Sequence, residues 1–383
     1  MKRLLQPVAL LAILLATLPQ IAWRPNMQNR PNLLQNVDYR LDPLAPTMVN
    51  PSAALEEKWL LSSIREDGAI AMSPSKDRVV PYFSNLAALA LLNRNPEAVK
   101  KYIQWYVAHL GKHDPWGMKG TITDYIYKGD EEISTLDYDS ADAYAGTFLT
   151  LVLEYHNATG DSTFLETILP QLHEVANTIL ALQSKDGLVR AKISDPSKYL
   201  MDNCEAYRGL CDFSHLLSML GDQTDAVKYY RKAQAIRQGI QQRLWDPKTN
   251  SYYWRVHWLG FRQRSNLAKW YPDAISQLYP ILTQVIAPNS DEAKAIWDSF
   301  NRHFPGWPVL NHGQKFAWTQ VAYVSFKMGD MERSQTFVES LKRLFEVKGK
   351  PASWYATESS MLIMVKDILW QDSNRWVGPS PHI

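Results

Sequence analysis

Apolar residues recur at three- and four-residue spacing along most of the chain after residue 51, which is the pattern of helices that each bury one face. This pattern predicts twelve helices. They cover 52–65, 82–93, 96–110, 140–157, 162–183, 202–220, 222–245, 272–286, 290–303, 313–328, 331–346 and 355–370. Gly111, Gly160, Gly221 and Gly329 each follow a predicted helix end, where glycine commonly closes a helix.

The links between these helices alternate between tight turns and longer segments. The longer segments lie at 66–81, 111–139, 184–201, 246–271, 304–312 and 347–354. Each of them precedes the second helix of a pair, so the helices form six hairpins. If the hairpins close into a ring, all the long links gather on one face. The predicted fold class is therefore all-α, an (α/α)6 double-layered barrel. We prefer it to an open α-solenoid because a solenoid needs no long insertions along one edge.

Two of the long links show the alternation of apolar and polar residues that is typical of β-strands. Residues 121–127 and 133–136 flank a glycine turn, and residues 250–261 show a similar pattern, so small β-hairpins are expected in the loops before two inner helices. A weak internal repeat supports the hairpin plan, since Asp67-Gly and Asp186-Gly each follow a helix end.

The N-terminus has the composition of a targeting segment. Lys2 and Arg3 precede an apolar run that is shorter than the roughly 20 residues of a spanning helix. This predicts either a signal peptide or an uncleaved N-terminal anchor. We expect a secreted, periplasmic or cell-surface protein, with any membrane association through this segment only. The predicted regions are a targeting segment (1–22), an extended leader (23–50), a single catalytic domain (51–372) and a tail (373–383).

Charge and cysteine content exclude several classes of function. Forty-one basic residues balance 39 acidic ones, giving +2 without a basic run, so nothing favours nucleic acid. Cys204 and Cys211 would lie about 10.5 Å apart on one helix, beyond the ~7 Å span of a disulfide, which predicts two buried thiols. No cluster of ligands with zinc spacing occurs, so we expect no metal and no organic cofactor. Trp245, before a turn, is expected to be a packing residue.

Carboxylates and aromatic residues occur together where the predicted inner helices begin. The chain contains 14 Trp, 19 Tyr and 11 Phe, and aromatic faces line grooves that hold sugar rings. Glycoside hydrolysis needs two carboxylates on either side of the scissile bond. Asp139 and Asp142 share one helix face, as do Asp202 and Glu205. The alternative is that these residues cap helices, since Asp and Glu are favoured at helix N-termini.

The candidate catalytic residue is Asp142, with Asp202, Asp124 or Glu358 as its partner. Asp139, Glu205 and Asp273 would orient substrate hydroxyls, and His312 is either a ligand contact or a structural histidine. The sugar platform would comprise Tyr82, Trp116, Tyr138, Tyr199, Trp270, Trp354 and Tyr355.

At these residues the sequence resembles the six-hairpin glycosidase superfamily, the (α/α)6-barrel carbohydrate-active enzymes. The stretch Asp202-Asn-Cys-Glu-Ala-Tyr-Arg-Gly-Leu, the turn Leu220-Gly-Asp and the exit Arg243-Leu-Trp-Asp-Pro look like one hairpin of trehalase-like and glucosidase-like members. Tyr138-Asp-Ser-Ala-Asp-Ala-Tyr-Ala looks like the inner-helix start of bacterial endoglucanases of this fold. Their Ser-Glu-Gly segment is absent, and Ser73-Pro-Ser-Lys stands in the first hairpin instead. The resemblance implies a glycosidase without a cofactor.

Three functions follow from these observations. The main hypothesis is an exported glycoside hydrolase that acts on an oligo- or polysaccharide by a two-carboxylate acid/base mechanism, as a monomer with no partner except its carbohydrate substrate. A polysaccharide lyase or sugar epimerase on the same barrel would use a histidine as base, either His312 or His257. The third is a non-catalytic glycan-binding protein in polysaccharide export. One scaffold hosts several chemistries, so the fold does not choose among them.

Overall fold

The computed structural model describes residues 40–375, and most of this part of the chain is helical. The predicted targeting segment and most of the leader lie outside the described residues. The α-helices are α1 (Ala54–Leu61), α2 (Pro81–Leu89), α3 (Pro96–His109), α4 (Ala141–Thr159), α5 (Ser162–Thr167), α6 (Leu169–Leu182), α7 (Leu200–Met219), α8 (Gln223–Gly239), α9 (Tyr279–Leu282), α10 (Asp291–His303), α11 (Thr319–Lys327), α12 (Met331–Lys348) and α13 (Ala356–Arg375). Single 3-10 turns lie at Pro51–Ala53 and Trp307–Val309.

The twelve predicted helices are confirmed, with local differences that have physical causes. The segment predicted at 162–183 divides into α5 and α6, where Pro170 near the start of α6 has no N–H to continue the preceding helix. The segment predicted at 272–286 is a kinked turn (Trp270–Ala274) followed by the short α9, and it contains two prolines. A π-helical turn (Ile240–Leu244) extends α8. The helix predicted from 313 begins only at Thr319.

Both predicted β-hairpins are present; the strands of the first are shorter than expected, and further short strands pair with each hairpin. The strands are β1 (Arg78–Val79), β2 (Tyr125–Lys128), β3 (Glu131–Ser134), β4 (Lys198–Tyr199), β5 (Trp245–Asp246), β6 (Ser251–Val256) and β7 (Arg262–Arg264). β1 adds to the β2–β3 hairpin, and β4 and β5 both pair with β6. Because β4 leads directly into α7, the β6–β7 hairpin is attached at the N-terminus of that helix. Trp245 packs against Tyr252 at 4.8 Å between ring centroids.

One helix of each predicted hairpin contacts the corresponding helix of the next hairpin along the chain. The series is α2, α4, α7, α9, α11 and α13, and α13 also contacts α2. Two side chains of α13 donate hydrogen bonds to the backbone of α2: Thr357 Oγ1 to Phe83 O at 3.2 Å and Ser360 Oγ to Leu86 O at 2.8 Å. These six helices are the second members of the predicted pairs.

The predicted repeat of the hairpin unit is confirmed in the backbone. Gly68 and Gly187 have positive φ values of 98° and 86°, and each follows an aspartate whose carboxylate accepts an N–H two residues on. A Cβ at Gly187 would lie 2.1 Å from the carbonyl oxygen of Ala235. Only glycine therefore fits this turn, for reasons of both conformation and space.

Two glycines bring α4 and α7 into direct backbone contact. A Cβ on Gly209 would lie 2.3 Å from the carbonyl oxygen of Gly146, and one on Gly146 would lie 2.5 Å from that of Glu205. No side chain separates the helices at this level, so their axes approach more closely than larger residues allow. The N-termini of the two helices, which carry the predicted carboxylates, are thereby fixed relative to each other.

Residues 42–47, part of the predicted leader, form a strap that is bound to these helices. Leu44 N donates to Glu154 Oε1 at 2.6 Å, and Leu44 O accepts from the Tyr323 hydroxyl at 2.7 Å. Arg208 donates to Asp42 O at 3.0 Å, and it also forms ion pairs with Asp212 (2.6 Å) and Glu154 (3.5 Å). Glu154 lies in the C-terminal half of α4, and Arg208, near the middle of α7, pairs with Asp212 in the C-terminal half of that helix. The strap therefore binds α4 and α7 away from the turns that carry the candidate carboxylates.

Cys204 and Cys211 are buried free thiols, as the sequence predicts. Within residues 40–375, no helix combines the length and the hydrophobicity needed to cross a membrane.

The substitution Gly209→Ala tests the role of the glycine contact. We expect it to lower the free energy of unfolding by about 3 kcal/mol or more, because a methyl group cannot enter this contact without moving a helix. Urea denaturation measures the effect. Gly160→Ala is the control, since its Cβ would meet nothing within 4 Å and only the positive φ of 67° is strained, at a cost of about 1 kcal/mol. Equal losses in the two variants would contradict the packing argument.

Candidate active site

Asp142 lies in the first turn of α4, where the helix dipole favours a carboxylate. Its side chain is completely buried, with 0% of its surface exposed. Oδ1 accepts a hydrogen bond from Ala143 N at 2.9 Å, whereas Oδ2 has no hydrogen-bond partner. A buried polar atom without a partner costs about 1–3 kcal/mol, so the fold tolerates this arrangement at the expense of stability.

Two further carboxylates lie at the start of α7. Asp202 is in the first turn and partly exposed, and Glu205 lies one turn later and is buried. The hydroxyl of Tyr82, at the start of α2, donates to Glu205 Oε1 at 2.7 Å. The Tyr82 hydroxyl is also 3.4 Å from the hydroxyl of Tyr279 on α9. Four of the contacting helices therefore contribute to one group of polar side chains.

These carboxylates raise one another's pKa. Burial raises the pKa of Asp142 most, and the negative charge of Asp202 raises it further. Burial also raises the pKa of Glu205; the hydrogen bond from Tyr82 lowers it in part, and the charge of Asp202 raises it again. The pKa of Asp202 is raised to about 7, by burial first and then by the charge of Asp139. None of the ion pairs between described residues involves Asp142, Asp202 or Glu205. Asp142, Asp202 and Glu205 therefore retain a proton near neutral pH. Together with the neighbouring Asp139, they are called the carboxylate cluster below.

Asp124 is placed differently from the carboxylate cluster, because it has a cation beside it. The Tyr144 hydroxyl donates to Asp124 Oδ1 at 2.8 Å, and Arg78 Nη2 lies 3.5 Å from Oδ2. Burial raises the pKa of Asp124, and both partners oppose this rise. The ring of Tyr144 lies 6.0 Å from that of Tyr82 and 6.5 Å from that of Tyr138, so this side of the site is lined with phenols.

A row of aromatic rings extends from the other side of the carboxylate cluster. Tyr271 is half exposed. Its pKa is raised to about 12, by burial first and then by the negative charges of Asp202, Asp139 and Glu205. Because these charges act on its hydroxyl, Tyr271 lies near the three carboxylates. The rings of Tyr271 and Trp318 are 5.3 Å apart. The ring of Phe316 lies 6.3 Å from that of Trp318 and 5.6 Å from that of Tyr355, so the row continues to Tyr355.

Glu358, a predicted catalytic partner, caps the helix that follows Trp318. Its carboxylate accepts hydrogen bonds from Trp318 N (3.0 Å), Thr319 N (2.9 Å) and the Thr319 hydroxyl. Trp318 has a left-handed backbone (φ 59°, ψ 48°), a conformation that is uncommon for a bulky residue and marks local strain. Through these hydrogen bonds Glu358 fixes the backbone at Trp318 and so positions the Trp318 indole.

Several residues predicted to bind substrate have partners away from the carboxylate cluster. Asp273 accepts from Asn266 N at 2.8 Å in its own loop. The buried Trp270 is stacked on His312, with ring centroids 4.6 Å apart, and burial lowers the pKa of His312. Trp354 is buried too: its indole N–H donates to Ser359, and its ring contacts Phe345. The rings of Trp270 and Trp354 thus lie in the packed interior.

Three other predicted platform residues lie in the long links between helices, Tyr199 in strand β4. The Tyr138 hydroxyl donates to Asp114 Oδ2 at 2.7 Å. Trp116 is 53% exposed, and its backbone N–H donates to the same carboxylate. Tyr199 stacks on Trp254 at 5.9 Å between ring centroids.

Sequence reasoning missed Tyr144, Tyr271 and Tyr279 as site residues. Tyr144 lies two residues after Asp142, and Tyr271 follows Trp270 directly, so both were adjacent to candidates. Tyr279 lies within a predicted helix and carries no local signal. Only the tertiary fold brings its hydroxyl close to that of Tyr82 on α2.

One group of described residues outside the site has the spacing of a metal site. His173, Asp222 and Asp225 each offer a ligand atom within 4.8 Å of the others. Asp222 caps α8 by accepting from Asp225 N, and His173 Nδ1 lies 3.0 Å from the Tyr229 hydroxyl. These groups thus have partners within the protein.

Solved glycosidase structures share this fold. A rhamnosidase from Klebsiella oxytoca with rhamnose bound is 15% identical (TM-score 0.57), and the similarity covers 86% of this chain and 66% of that one. A GH78 family rhamnosidase of Bacillus sp. GL1 is 13% identical (TM-score 0.56, covering 84% and 36%). A glycosidase in complex with glucose is 12% identical (TM-score 0.60, covering 83% and 96%). The chain thus spans less than two thirds of the length of the two rhamnosidases. No protein-family model and no curated protein matches the sequence.

The likeness confirms, at the level of the fold, the predicted resemblance to the six-hairpin glycosidases. Identity this low carries no catalytic residue from one protein to the other.

The substitution Asp142→Asn tests whether the carboxylate cluster costs stability. A carboxyl group whose pKa is raised by folding stabilises the protein below its unfolded pKa of about 4, and this contribution is lost as the pH rises toward the folded pKa. Asparagine removes the charge, so we expect the variant to be about 1–3 kcal/mol more stable than the wild type at pH 8. The gain should shrink toward pH 4.

Urea denaturation at several pH values measures this difference. Asp298→Asn is the matched control, because Asp298 is exposed on α10. We expect it to change stability by less than about 0.5 kcal/mol at every pH. If Asp142→Asn were less stable than the wild type at pH 8, the cluster would not be repulsive.

Proposed function

We propose that the chain is an exported glycoside hydrolase whose six contacting helices close into an (α/α)6 barrel. The contact of α13 with α2 and its two hydrogen bonds support closure of the ring. The single observation that carries the function is the carboxylate cluster, in which Asp142 on α4 and Asp202 and Glu205 on α7 lie together without a basic partner among the described residues. Export rests on the N-terminal sequence, with its basic start and short apolar run.

Asp202 is the proton donor in this proposal. A general acid must be protonated at the working pH and must reach the glycosidic oxygen. The pKa of Asp202 is about 7, and its side chain is partly exposed, whereas Asp142 is completely buried. The catalytic role expected for Asp142 is therefore assigned to Asp202 in this proposal, and Asp142, whose pKa burial raises, holds a proton within the cluster.

Asp139 is the group that activates water. It lies just before α4, it is exposed to solvent, and its charge acts on Asp202 more strongly than that of any other residue. Asp139 precedes α4 and Asp202 lies in the first turn of α7, so the two carboxylates come from different segments of the chain. The effect of the charge of Asp139 on the pKa of Asp202 supports their lying close together, as an acid and a base on either side of a glycosidic bond must. Glu205, held by Tyr82, is suited to accept a hydrogen bond from a sugar hydroxyl.

The sugar would lie between the phenols and the row of aromatic rings. Tyr271 supplies a ring face near the carboxylates, and the row continues through Trp318 and Phe316 to Tyr355. Tyr199 with Trp254 extends the surface along β4 and β6. Aromatic faces stack on the apolar faces of sugar rings. The buried Trp270 supports this surface, because its ring packs against that of Trp318.

The lyase or epimerase alternative has less support. It requires a histidine beside the substrate as base. His312 is stacked on Trp270, and His257 is stacked on Phe261 at the tip of the β6–β7 hairpin. Neither histidine contributes to the pKa of Asp142, Asp202 or Glu205.

A panel of oligo- and polysaccharides with detection of new reducing ends tests the proposal. We expect Asp202→Asn and Asp139→Asn each to lower kcat/KM by about 10²–10⁴-fold, since each removes one acid or base function. Wild-type kcat/KM should fall about tenfold per pH unit above pH 7, as Asp202 loses its proton. Asp298→Asn on the outer helix α10 should match the wild type.

Two results would contradict the proposal. Binding of a glycan without release of reducing ends, unchanged in Asp202→Asn, would favour a non-catalytic glycan-binding protein. Release of products that absorb ultraviolet light, as unsaturated sugars do, would favour a lyase.

A further inference from the structure

The segment 247–269, which contains the β6–β7 hairpin, is more basic than the rest of the chain. It contains five Lys and Arg residues and no Asp or Glu, although the whole chain has a net charge of only +2. The five are Lys248, Arg255, Arg262, Arg264 and Lys269. Ion pairs within the described residues occupy Arg264, with Asp246, and Lys269, with Asp273. Lys248 and Arg262 take part in none of these pairs, and Arg262 lies over the ring of Tyr253 at 4.3 Å.

The tip of the same hairpin exposes large apolar side chains. Trp258, Leu259 and Phe261 are 61%, 62% and 54% exposed. Three exposed apolar residues within four positions form a contiguous patch, and such patches mark interaction sites.

The tip has a fixed conformation. His257 N donates to Phe261 O at 2.9 Å, and Gly260 N donates to His257 O at 2.7 Å, which closes the turn. The ring of His257 stacks on that of Phe261 at 4.4 Å. Gly260 takes the positive φ of 89° that the turn requires. Trp258 and Leu259 therefore project from an ordered loop, so that little conformational entropy is lost when they are buried.

We propose that the β6–β7 hairpin docks the protein on an anionic lipid bilayer, with Trp258, Leu259 and Phe261 in the interface and Arg255 and Arg262, which flank the tip, at the lipid phosphates. Tryptophan, phenylalanine and leucine enter the headgroup region of bilayers, and basic residues beside them bind anionic lipids. The strand β6 pairs with β4, which leads into the helix that carries Asp202, so docking would bring the carboxylate cluster to a membrane surface. This inference does not depend on the proposed function.

An acidic polysaccharide is the other anionic partner that this charge would suit. It fits less well for two reasons. Leu259 has no ring to stack on a sugar, yet it is the most exposed of the three residues. The carboxylate cluster, on the helix that β4 leads into, would repel an acidic chain bound along the hairpin.

A fluorescent label at the tip tests the proposal. Both native cysteines are buried, so Leu259→Cys in the full-length chain allows attachment of a nitrobenzoxadiazole group at one site. With vesicles of phosphatidylcholine and phosphatidylglycerol in a 7:3 ratio, we expect a blue shift and a severalfold rise in emission. The same label at Val347→Cys, an exposed position at the end of α12, should not change.

Vesicle sedimentation of unlabelled full-length protein measures the affinity. We expect Trp258→Ser with Phe261→Ser to weaken binding by about tenfold or more, since each aromatic ring would lose its burial. Arg262→Gln should weaken it about fivefold on anionic vesicles and have no effect on phosphatidylcholine alone. Leu55→Ser with Val347→Ser removes two apolar residues elsewhere that are more exposed than Trp258 and Phe261, and it should leave binding unchanged.

Two outcomes would overturn the inference. If vesicles sediment all variants equally and the label at position 259 does not respond, any binding comes from another part of the chain. If the label responds to soluble polygalacturonate and not to vesicles, the hairpin binds an acidic glycan.

Discussion

The direct contact between the backbones of α4 and α7 is the constraint on which the site depends. Gly146 and Gly209 leave no room for a Cβ at this crossing. The acidic first turns of the two helices are consequently held together although nothing electrostatic attracts them. Packing over the length of two long helices supplies the free energy that opposes this repulsion. The stability of the helix pair and the protonation of the cluster are thus two results of the same contact.

The carboxylate cluster differs from the buried charges at the other end of the same helices. There, Glu154 and Asp212 share Arg208, so that negative charge is balanced by a guanidinium. A buried charge without a partner is costly, and proteins retain such groups mainly at functional sites. The contrast between the two ends of α4 and α7 therefore supports the proposed catalytic role of the cluster independently of the similar structures.

Much of the fold could be predicted from the sequence, because helical periodicity and the alternation of short and long links are local signals. The errors came from prolines, as at Pro170, and from the tertiary placement of Trp318 before α11. In the site, Asp142, Asp202 and Glu205 were recognisable because first-turn acids lay beside aromatic residues. Roles were harder to predict: capping by Glu358 and burial of Trp354 depend on contacts between distant segments.

The strap at residues 42–47 shows a different relation between sequence and structure. The fold holds it through main-chain atoms, since Asp42 O, Leu44 N, Leu44 O and Pro46 O make its hydrogen bonds with the helices and their loops. Such binding specifies the path of the chain and leaves the identity of most side chains open. Most residues of this stretch can therefore be substituted without loss of these hydrogen bonds. A proline at position 44 is the exception, because it would remove the N–H that donates to Glu154. Homologous proteins could share the feature while showing no recognisable similarity along it.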